Sequence, residues 1–466
     1  MTDGGATSVR RLLRLLALTA GACAALAGAA TASGADHHQT ATPIEHLVVL
    51  MQENHSFDNY FGTYPGADGI PKLICMPWDP RHPGRGCVRP FHIGGRPVVD
   101  LDHRLQTHEA QFRNGRMDGF VYAFADRGRL AETAMGYYDD RDLPYYWNLA
   151  DEFVLFDRFF TSASGGSVSN HMYWIAGAPG VVDPGKEGIP EVGWGNLPTI
   201  FDRLEEKGIS WKFYIQNYDP SVTFRKQKAG DKGAQIVWAP LLAYGRYLDD
   251  PKLFSKIVDL SEYFDDLANG TLPAVSYIVP SGASEHPPGS IQAGERFIRT
   301  LINALTASDA WPSSAFLWSY DDWGGWYDHV PPPRVDKFGY GFRAPALLVS
   351  AYAKRGYVDS TQLDFTSILK FIERNWGLKP LAERDRKANN FLTAFDFKSP
   401  PREPLFLSRQ RVAEPRPEAK VGIVYAANAV AVLLPTVLIG WAAVSYRRGK
   451  RSEDLEPDED READRR

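Results

Sequence analysis

The sequence predicts an α/β fold with a mostly parallel central sheet flanked by helices, followed by one C-terminal transmembrane helix. Strand-like and helix-like segments alternate over roughly 350 residues, which is the pattern of α/β proteins. Residues 421–446 contain no charged side chain and are bounded by Lys420 and Arg447. Because about 20 apolar residues are enough to span a bilayer, the uncharged segment 421–446 predicts a membrane helix.

Six segments are predicted to be strands because each is a short run of β-branched, aromatic and other apolar residues. They are residues 46–51, 152–160, 210–215, 273–279, 314–320 and 345–352. Helical periodicity occurs between them at residues 197–208, 294–308 and 365–377. Polar clusters follow three strands, at residues 53–58, 161–170 and 321–325. Ligands of such sheets bind outside the carboxyl ends of the strands, so we expect the three clusters to meet at one edge.

The two ends of the chain have the composition of export and anchoring segments. Residues 1–35 have arginines at positions 10, 11 and 14, followed by an apolar run and then small residues, which predicts a secretory signal peptide. The pair Arg10 and Arg11 leaves open whether export follows the general or the twin-arginine route. After one large domain at residues 41–399, we predict a Pro-rich linker at 400–420, a membrane helix at 421–446 and a charged cytoplasmic tail at 447–466.

The predicted location follows from the charges beside the membrane helix. Arg447, Arg448, Lys450 and Arg451 come directly after it, and basic residues favour the cytoplasmic side. Together with a cleaved signal peptide, this predicts a single-pass type I protein of the cell membrane with an extracytoplasmic domain. The net charge of −5 gives no reason to expect a nucleic-acid partner.

Two cysteines remain after the predicted signal peptide. Cys75 and Cys87 lie twelve positions apart in a loop rich in proline, glycine and arginine. In an oxidising compartment a local disulfide is the favoured interpretation, and a metal site made by these two residues is disfavoured.

The polar clusters contain the residue types of a phosphate-ester or metal site. Adjacent carboxylates at Asp321 and Asp322 repel each other in an apolar setting, and a divalent cation relieves that repulsion. Glu53 and Asn54 would add oxygen ligands from another strand end. Taken alone, the aspartate pair also fits a capped turn with solvated carboxylates. The Ser/Gly-rich segment 161–170 could present a nucleophile, although such segments are commonly plain loops.

Six blocks occur in order between about Ile44 and Phe397. They are ENHSFDNYFGTYPG, HRLQTHEAQFRNGRMDGF, MGYYDDRDLPYYWNLADEFVLFDRFF, SVSNHMYWIAG, SEHPPGSIQAGERFIRTLINAL and SYDDWGGWYDHVPPP. These blocks resemble the bacterial phospholipase C and acid phosphatase family of phosphoesterases, which plant non-specific phospholipases C also join. The resemblance implies an alkaline phosphatase-like fold and a phosphoesterase catalytic domain at residues 41–399.

The resemblance also implies roles for individual residues. Ser167 matches the family's nucleophile, and His103, His286 and His329 match catalytic positions. One divalent metal ion would be bound by Glu53, Asn54, Asp321 and Asp322. Substrate contacts are implied for Asn170, His171 and Trp323.

Three departures from the family pattern bear on these roles. His55 stands where arginine is usual. Ser169 replaces the usual proline and so becomes a rival nucleophile. Phe365 stands where many relatives carry histidine, which weakens the case for a second metal ion.

The function expected from these observations is that of a membrane-anchored, extracytoplasmic, metal-dependent phosphoesterase. The favoured interpretation is that the protein is a phospholipase C, which cleaves the phosphodiester of phospholipid headgroups through a phosphoseryl intermediate. An acid-phosphatase-like phosphomonoesterase and a catalytically inactive surface binding protein remain as alternatives. The expected partners are a phospholipid or phosphate-ester substrate and, through the C-terminal helix, the membrane. Oxygen ligands do not select one metal, because several divalent cations accept them.

Overall fold

The computed structural model describes residues 39–96, 98–181, 188–226 and 231–411, together with Trp441 and Ser445. The chain divides into two units, Met1–Gln410 and Arg411–Arg466. The first unit contains the strands of the described residues and the site described below.

An eight-stranded sheet forms the centre of the first unit. Its strands in chain order are β1 (His46–Gln52), β6 (Val154–Phe156), β7 (Trp211–Ile215), β8 (Ile257–Asp259), β9 (Val275–Val279), β10 (Ser314–Tyr320), β11 (Ala346–Ser350) and β12 (Tyr357–Asp359). Across the sheet they lie in the order β12-β6-β11-β10-β1-β9-β7-β8. All residues of β9, β10 and β11 are buried. Strands buried on both faces are continuous apolar runs, which is why the sequence identified them.

The sheet is mixed, so the prediction of a mostly parallel sheet needs correction. Strand β11 runs antiparallel to both of its neighbours, β10 and β6, whereas the other pairings are parallel. Parallel neighbours need a crossover, which is usually a helix. Residues 321–345, which connect β10 to β11, contain no helix, and β11 returns beside β10 in the opposite direction.

Helices flank this sheet. The α-helices are Phe57–Phe61, Leu105–Phe112, Pro144–Glu152, Ser167–Ala176, Ile200–Lys207, Asp231–Trp238, Gly245–Asp249, Pro251–Phe254, Ser261–Asn269, Ile291–Thr306, Phe365–Trp376 and Glu383–Lys387. Short 3₁₀ segments are Pro83–Arg85, Arg113–Gly115, Tyr122–Met135, Pro240–Ala243, Trp311–Ser313 and Leu392–Ala394. The three helices predicted from periodicity are therefore present, within a few residues of their expected bounds.

The prediction of a transmembrane helix, and with it the single-pass location at the cell membrane, is corrected by the structure. Within the described ranges, no helix is both long and apolar enough to cross a bilayer. The helix Ile291–Thr306 has 16 residues, fewer than the 20 or so that a span requires. The predicted span at 421–446 lies outside the described residues apart from Trp441 and Ser445, as do the predicted signal peptide and charged tail.

The predicted disulfide between Cys75 and Cys87 is present. It joins two short antiparallel strands, β2 (Met76–Pro77) and β3 (Cys87–Val88). A second small pair consists of β4 (Phe91–His92) and β5 (Gly136–Tyr137).

The buried carboxyl group of Glu373 is expected to make the folded protein less stable as pH rises. Glu373 is 3% exposed, and burial together with the hydrogen-bonded Asp385 raises its pKa to about 9. The folded protein therefore retains this proton where the unfolded chain has lost it, and stability falls as pH rises from about 4.5 towards 9. We expect Glu373→Gln to raise the melting temperature at pH 8 and to leave it unchanged at pH 4. Thermal melts between pH 4 and 9 measure this, with the exposed Glu109→Gln as control; an equal effect at both pH values would contradict it.

Candidate active site

The ends of two neighbouring strands bring the first polar clusters together. Strands β1 and β10 are parallel, and Gln52 pairs with Tyr320 at their carboxyl ends. The backbone N–H of Asp321 donates to the carbonyl oxygen of Gln52 at 3.0 Å. Residues 53–54 and 321–322 therefore leave the sheet side by side, as expected for parallel strands.

A glycine allows the second of these strand ends to approach the first. Gly324 has φ +61°, and a Cβ atom there would lie 2.1 Å from the carbonyl oxygen of Asn54. Both the left-handed backbone and the close contact exclude a larger side chain. The turn after β10 thus depends on glycine at this position.

Ser167 reaches the same edge of the sheet from the turn after β6. It is the first residue of the helix Ser167–Ala176. The amide of Asn170 holds the preceding turn, because its Oδ1 accepts from Ala163 N at 2.8 Å and its Nδ2 donates to Gly166 O at 3.2 Å. The hydroxyl of Ser167 donates to Oδ2 of Asp322 at 3.3 Å. The three polar clusters therefore meet, as expected from their positions directly after predicted strands.

Three side chains are arranged as ligands for a cation. Donor atoms of Glu53, His171 and Asp321 lie within 4.8 Å of one another, and all three residues are buried. Both carboxylate oxygens of Asp321, Nε2 of His171 and Oδ1 of Asn54 have no hydrogen-bond partner among the described residues. Buried polar atoms are nearly always paired, so these atoms fit a divalent cation, as does their chemistry of oxygen and imidazole donors.

The pKa shifts in this cluster also fit a bound cation. Burial and the nearby Asp321 and Asp322 raise the pKa of Glu53 well above its usual range. Burial and Asp322 do the same for the pKa of Asp321. The pKa of His171 is lowered to about 4 by burial, and its Nδ1 donates to Ser167 O at 2.9 Å. The Nε2 lone pair of His171 is therefore available as a ligand.

Two histidines lie beside this cluster. Nε2 of His103 is 3.9 Å from Oδ2 of Asp322, and Nδ1 of His103 bonds the carbonyl oxygen of Leu101 at 2.8 Å. Burial lowers the pKa of His103, but Asp322 and other neighbouring groups more than offset this and raise it to about 9. The ring of His286 is 5.5 Å from that of His103. His103 thus lies near Asp322, which accepts from the hydroxyl of Ser167, and His286 lies beside His103.

Two residues predicted for the site lie in other surroundings. His329 has both ring nitrogens near carboxylates, with Nδ1 2.8 Å from Asp58 Oδ2 and Nε2 3.1 Å from Asp68 Oδ1. This ion cluster surrounds the fully buried Arg343. Trp323 is fully buried, and its Nε1 donates to Gln111 at 2.7 Å. The structure thus places His329 in a partly buried ion cluster and Trp323 in interior packing, and their roles in catalysis and substrate binding stay predictions.

Sequence reasoning assigned His171 to the substrate and missed its place among the potential metal ligands. The spacing held the signal, because residues four positions apart lie on the same face of a helix. His171 follows Ser167 by four residues, so the two side chains project from one face of the helix Ser167–Ala176. The pairing of His171 with Glu53, at 3.8 Å, depends on tertiary packing.

Comparison with known proteins gives consistent results. The chain matches the phosphoesterase family over residues 44–379. Phospholipase C A of Mycobacterium tuberculosis is 29% identical over 427 residues, which cover 77% of this chain and 78% of that protein. The non-hemolytic phospholipase C of Pseudomonas aeruginosa is 29% identical over 472 residues, covering 85% and 64%. Non-specific phospholipase C1 of Arabidopsis thaliana is 28% identical over 439 residues, covering 83% and 76%.

Among solved structures, a protein in the alkaline phosphatase superfamily from Vibrio parahaemolyticus is 13% identical, with a TM-score of 0.35 and coverage of 74% of this chain and 73% of that one.

The residues matched by the family span Glu53, Ser167, His171 and Asp321. The resemblance inferred from the six sequence blocks is thereby confirmed. The chain belongs to the phosphoesterase family and is a hydrolase that acts on phosphate ester bonds.

Proposed function

We propose that this protein is a phospholipase C, which cleaves the phosphodiester between the glycerol and the headgroup of a phospholipid through a phosphoseryl intermediate on Ser167. The observation that carries the proposal is the hydroxyl of Ser167 beside Asp322, next to the unpartnered ligand atoms of Asp321 and His171. The choice of a diester over a monoester rests on the relatives, which are named phospholipases C.

In the first step Oγ of Ser167 attacks phosphorus, and the bond from phosphorus to the glycerol oxygen breaks. Oδ2 of Asp322, which already accepts from this hydroxyl at 3.3 Å, receives its proton. His103, with His286 beside it, donates a proton to the departing glycerol oxygen. A divalent cation held by Glu53, His171 and Asp321 would compensate charge on the phosphoryl oxygens.

In the second step water attacks the phosphorylated serine. His103, now neutral, accepts a proton from that water, and Ser167 regains its own proton from Asp322. The phosphorylated headgroup leaves, and the side chains return to their starting protonation states. Charge compensation on the phosphoryl oxygens is expected to be a large part of the rate enhancement.

The purified protein, loaded in separate samples with Mn²⁺, Zn²⁺ or Ca²⁺, should hydrolyse p-nitrophenyl phosphorylcholine faster than p-nitrophenyl phosphate. With phosphatidylcholine vesicles it should release diacylglycerol and phosphocholine. Acid quenching during turnover, followed by peptide mass spectrometry, should recover a phosphorylated peptide that contains Ser167.

Turnover of the monoester alone would replace this proposal with a phosphomonoesterase. The absence of turnover with all three metals would support an inactive binding protein. A phosphorylated peptide that maps to Ser169 would reassign the nucleophile.

A further inference from the structure

The buried carboxylate of Glu285 takes no part in the proposed mechanism, yet three hydroxyl groups converge on it. Glu285 is fully buried and directly precedes His286. Oε2 of Glu285 accepts from the hydroxyls of Tyr60 at 2.5 Å and Tyr320 at 2.8 Å. Oε1 accepts from the hydroxyl of Tyr146 at 2.5 Å. A buried carboxylate without a cation partner is costly, so this arrangement needs an explanation.

The backbone of Glu285 is held as firmly as its side chain. Its N–H donates to Oε1 of Gln52 at 3.1 Å, and the same oxygen accepts from the N–H of Glu53 at 3.1 Å. Nε2 of His55 donates to the carbonyl oxygen of Glu285 at 3.2 Å. The loop after β9 is therefore tied to the end of β1 by two hydrogen bonds, one through the side chain of Gln52 and one through that of His55.

The helix Ile291–Thr306 leaves room for this carboxylate. A Cβ atom on Gly294 would lie 2.1 Å from Oε1 of Glu285, so a larger residue would displace the carboxylate. Burial raises the pKa of Glu285 to about 8, and the tyrosine hydroxyls oppose that rise.

Each of the three chain segments that meet around Glu285 continues directly into a residue of the candidate active site. Gln52 precedes Glu53, Glu285 precedes His286, and Tyr320 precedes Asp321. In a strand, successive side chains point to opposite sides, and Gln52 and Tyr320 are the last residues of β1 and β10. One side chain of each pair can therefore face the cluster while its neighbour faces the reacting groups.

We propose that Glu285 is a positioning residue, which joins the loop after β9 to the ends of β1 and β10 and thereby sets the distances among Glu53, His286 and Asp321. The inference rests on the proposed function, because it takes these three residues as the reactive or ligating groups. The hydroxyl of Tyr146 is the most informative contact to remove, because its helix, Pro144–Glu152, carries no residue of the site. Small displacements of reacting groups can cost large factors in rate.

The test compares Tyr146→Phe with Tyr145→Phe. Both tyrosines are buried on the same helix, but only Tyr146 bonds Glu285. We expect Tyr146→Phe to lower kcat by about tenfold with KM within about twofold of wild type, and to weaken Mn²⁺ binding measured by calorimetry. Tyr145→Phe should change neither quantity. Equal kcat values and Mn²⁺ affinities in the two variants would overturn the proposal, even if their melting temperatures differed.

The double variant Glu285→Gln with Tyr146→Phe determines whether Tyr146 acts through Glu285. If it does, the second substitution causes no further loss of kcat in the Glu285→Gln background. Additive losses would overturn this route, and if Glu285→Gln does not fold, the tyrosine comparison still decides. The kinetics are measured on whichever ester the wild type hydrolyses, so a failure of the diester assignment leaves this test intact. If the wild type hydrolyses neither ester, the Mn²⁺ affinities decide alone.

Discussion

Replacement of Ser167 by alanine is expected to reduce turnover by about a thousandfold or more and to abolish the phosphorylated-peptide signal. Loss of a covalent nucleophile commonly has effects of this size. Ser167 is the hydroxyl that contacts Asp322, so its removal deletes the attacking atom and leaves the ligand cluster of Glu53, His171 and Asp321 in place. Steady-state kinetics on p-nitrophenyl phosphorylcholine, together with Mn²⁺ titration, would separate these two properties.

Ser169→Ala is the matched control for this experiment. Ser169 lies two residues further along the same helix and is 2% exposed, and it was the rival nucleophile in the sequence. We expect Ser169→Ala to retain most of the wild-type turnover. Wild-type turnover in Ser167→Ala, or a loss confined to Ser169→Ala, would show that the nucleophile has been misassigned.

Replacement of Asp321 by asparagine is expected to have opposite effects on stability and activity. Asp321 is fully buried, and neither carboxylate oxygen has a hydrogen-bond partner among the described residues. Without a cation, its charge opposes those of Glu53 and Asp322, so the substitution should raise the melting temperature of the chelator-treated protein. With Mn²⁺ present, the variant should lose turnover by about a hundredfold or more, because a ligand for charge compensation is weakened.

Thermal melts with and without Mn²⁺ provide the measurement. A ligand that binds only the folded state raises its melting temperature, and at a fixed ligand concentration the increase is larger for tighter binding. The wild type should gain stability from Mn²⁺, and Asp321→Asn should gain much less. An equal gain in both proteins would exclude Asp321 as a ligand.

Asp328→Asn is the contrasting control. Asp328 is also a fully buried aspartate of the segment after β10, but Nε of Arg343 pairs with it at 3.0 Å. Removing one partner of a buried ion pair leaves the other charge uncompensated. This variant should therefore be less stable with and without Mn²⁺.

Several strands, the disulfide and the family of this protein could be predicted from its sequence alone. The strands β1 and β10 were predicted within a residue because each is a continuous apolar run that ends at a polar cluster. The disulfide between Cys75 and Cys87 followed from the spacing of two cysteines in one loop. The six ordered blocks indicated the phosphoesterase family, which the match over residues 44–379 confirms. These properties are local, or they depend only on the order of segments along the chain.

Other properties were decided only by the tertiary structure. The direction of β11 depends on its pairing with β10 and β6, and apolar periodicity is the same for either direction. His329 was assigned a catalytic role from its place in a block, which stays a prediction, but that its ring lies between Asp58 and Asp68 could be seen only in the structure. Which distant side chains meet is set by strand register and packing, and no local pattern encodes either.

The surroundings of Glu285 show the same limit most clearly. Its three hydroxyl donors come from positions 35, 139 and 225 residues away in the chain. His171 meets Glu53 across 118 residues only because the helix that begins at Ser167 packs at the end of β1. Periodicity determines which face of each element is buried. Strand order and the packing of helices and loops against the sheet then determine which buried groups become neighbours.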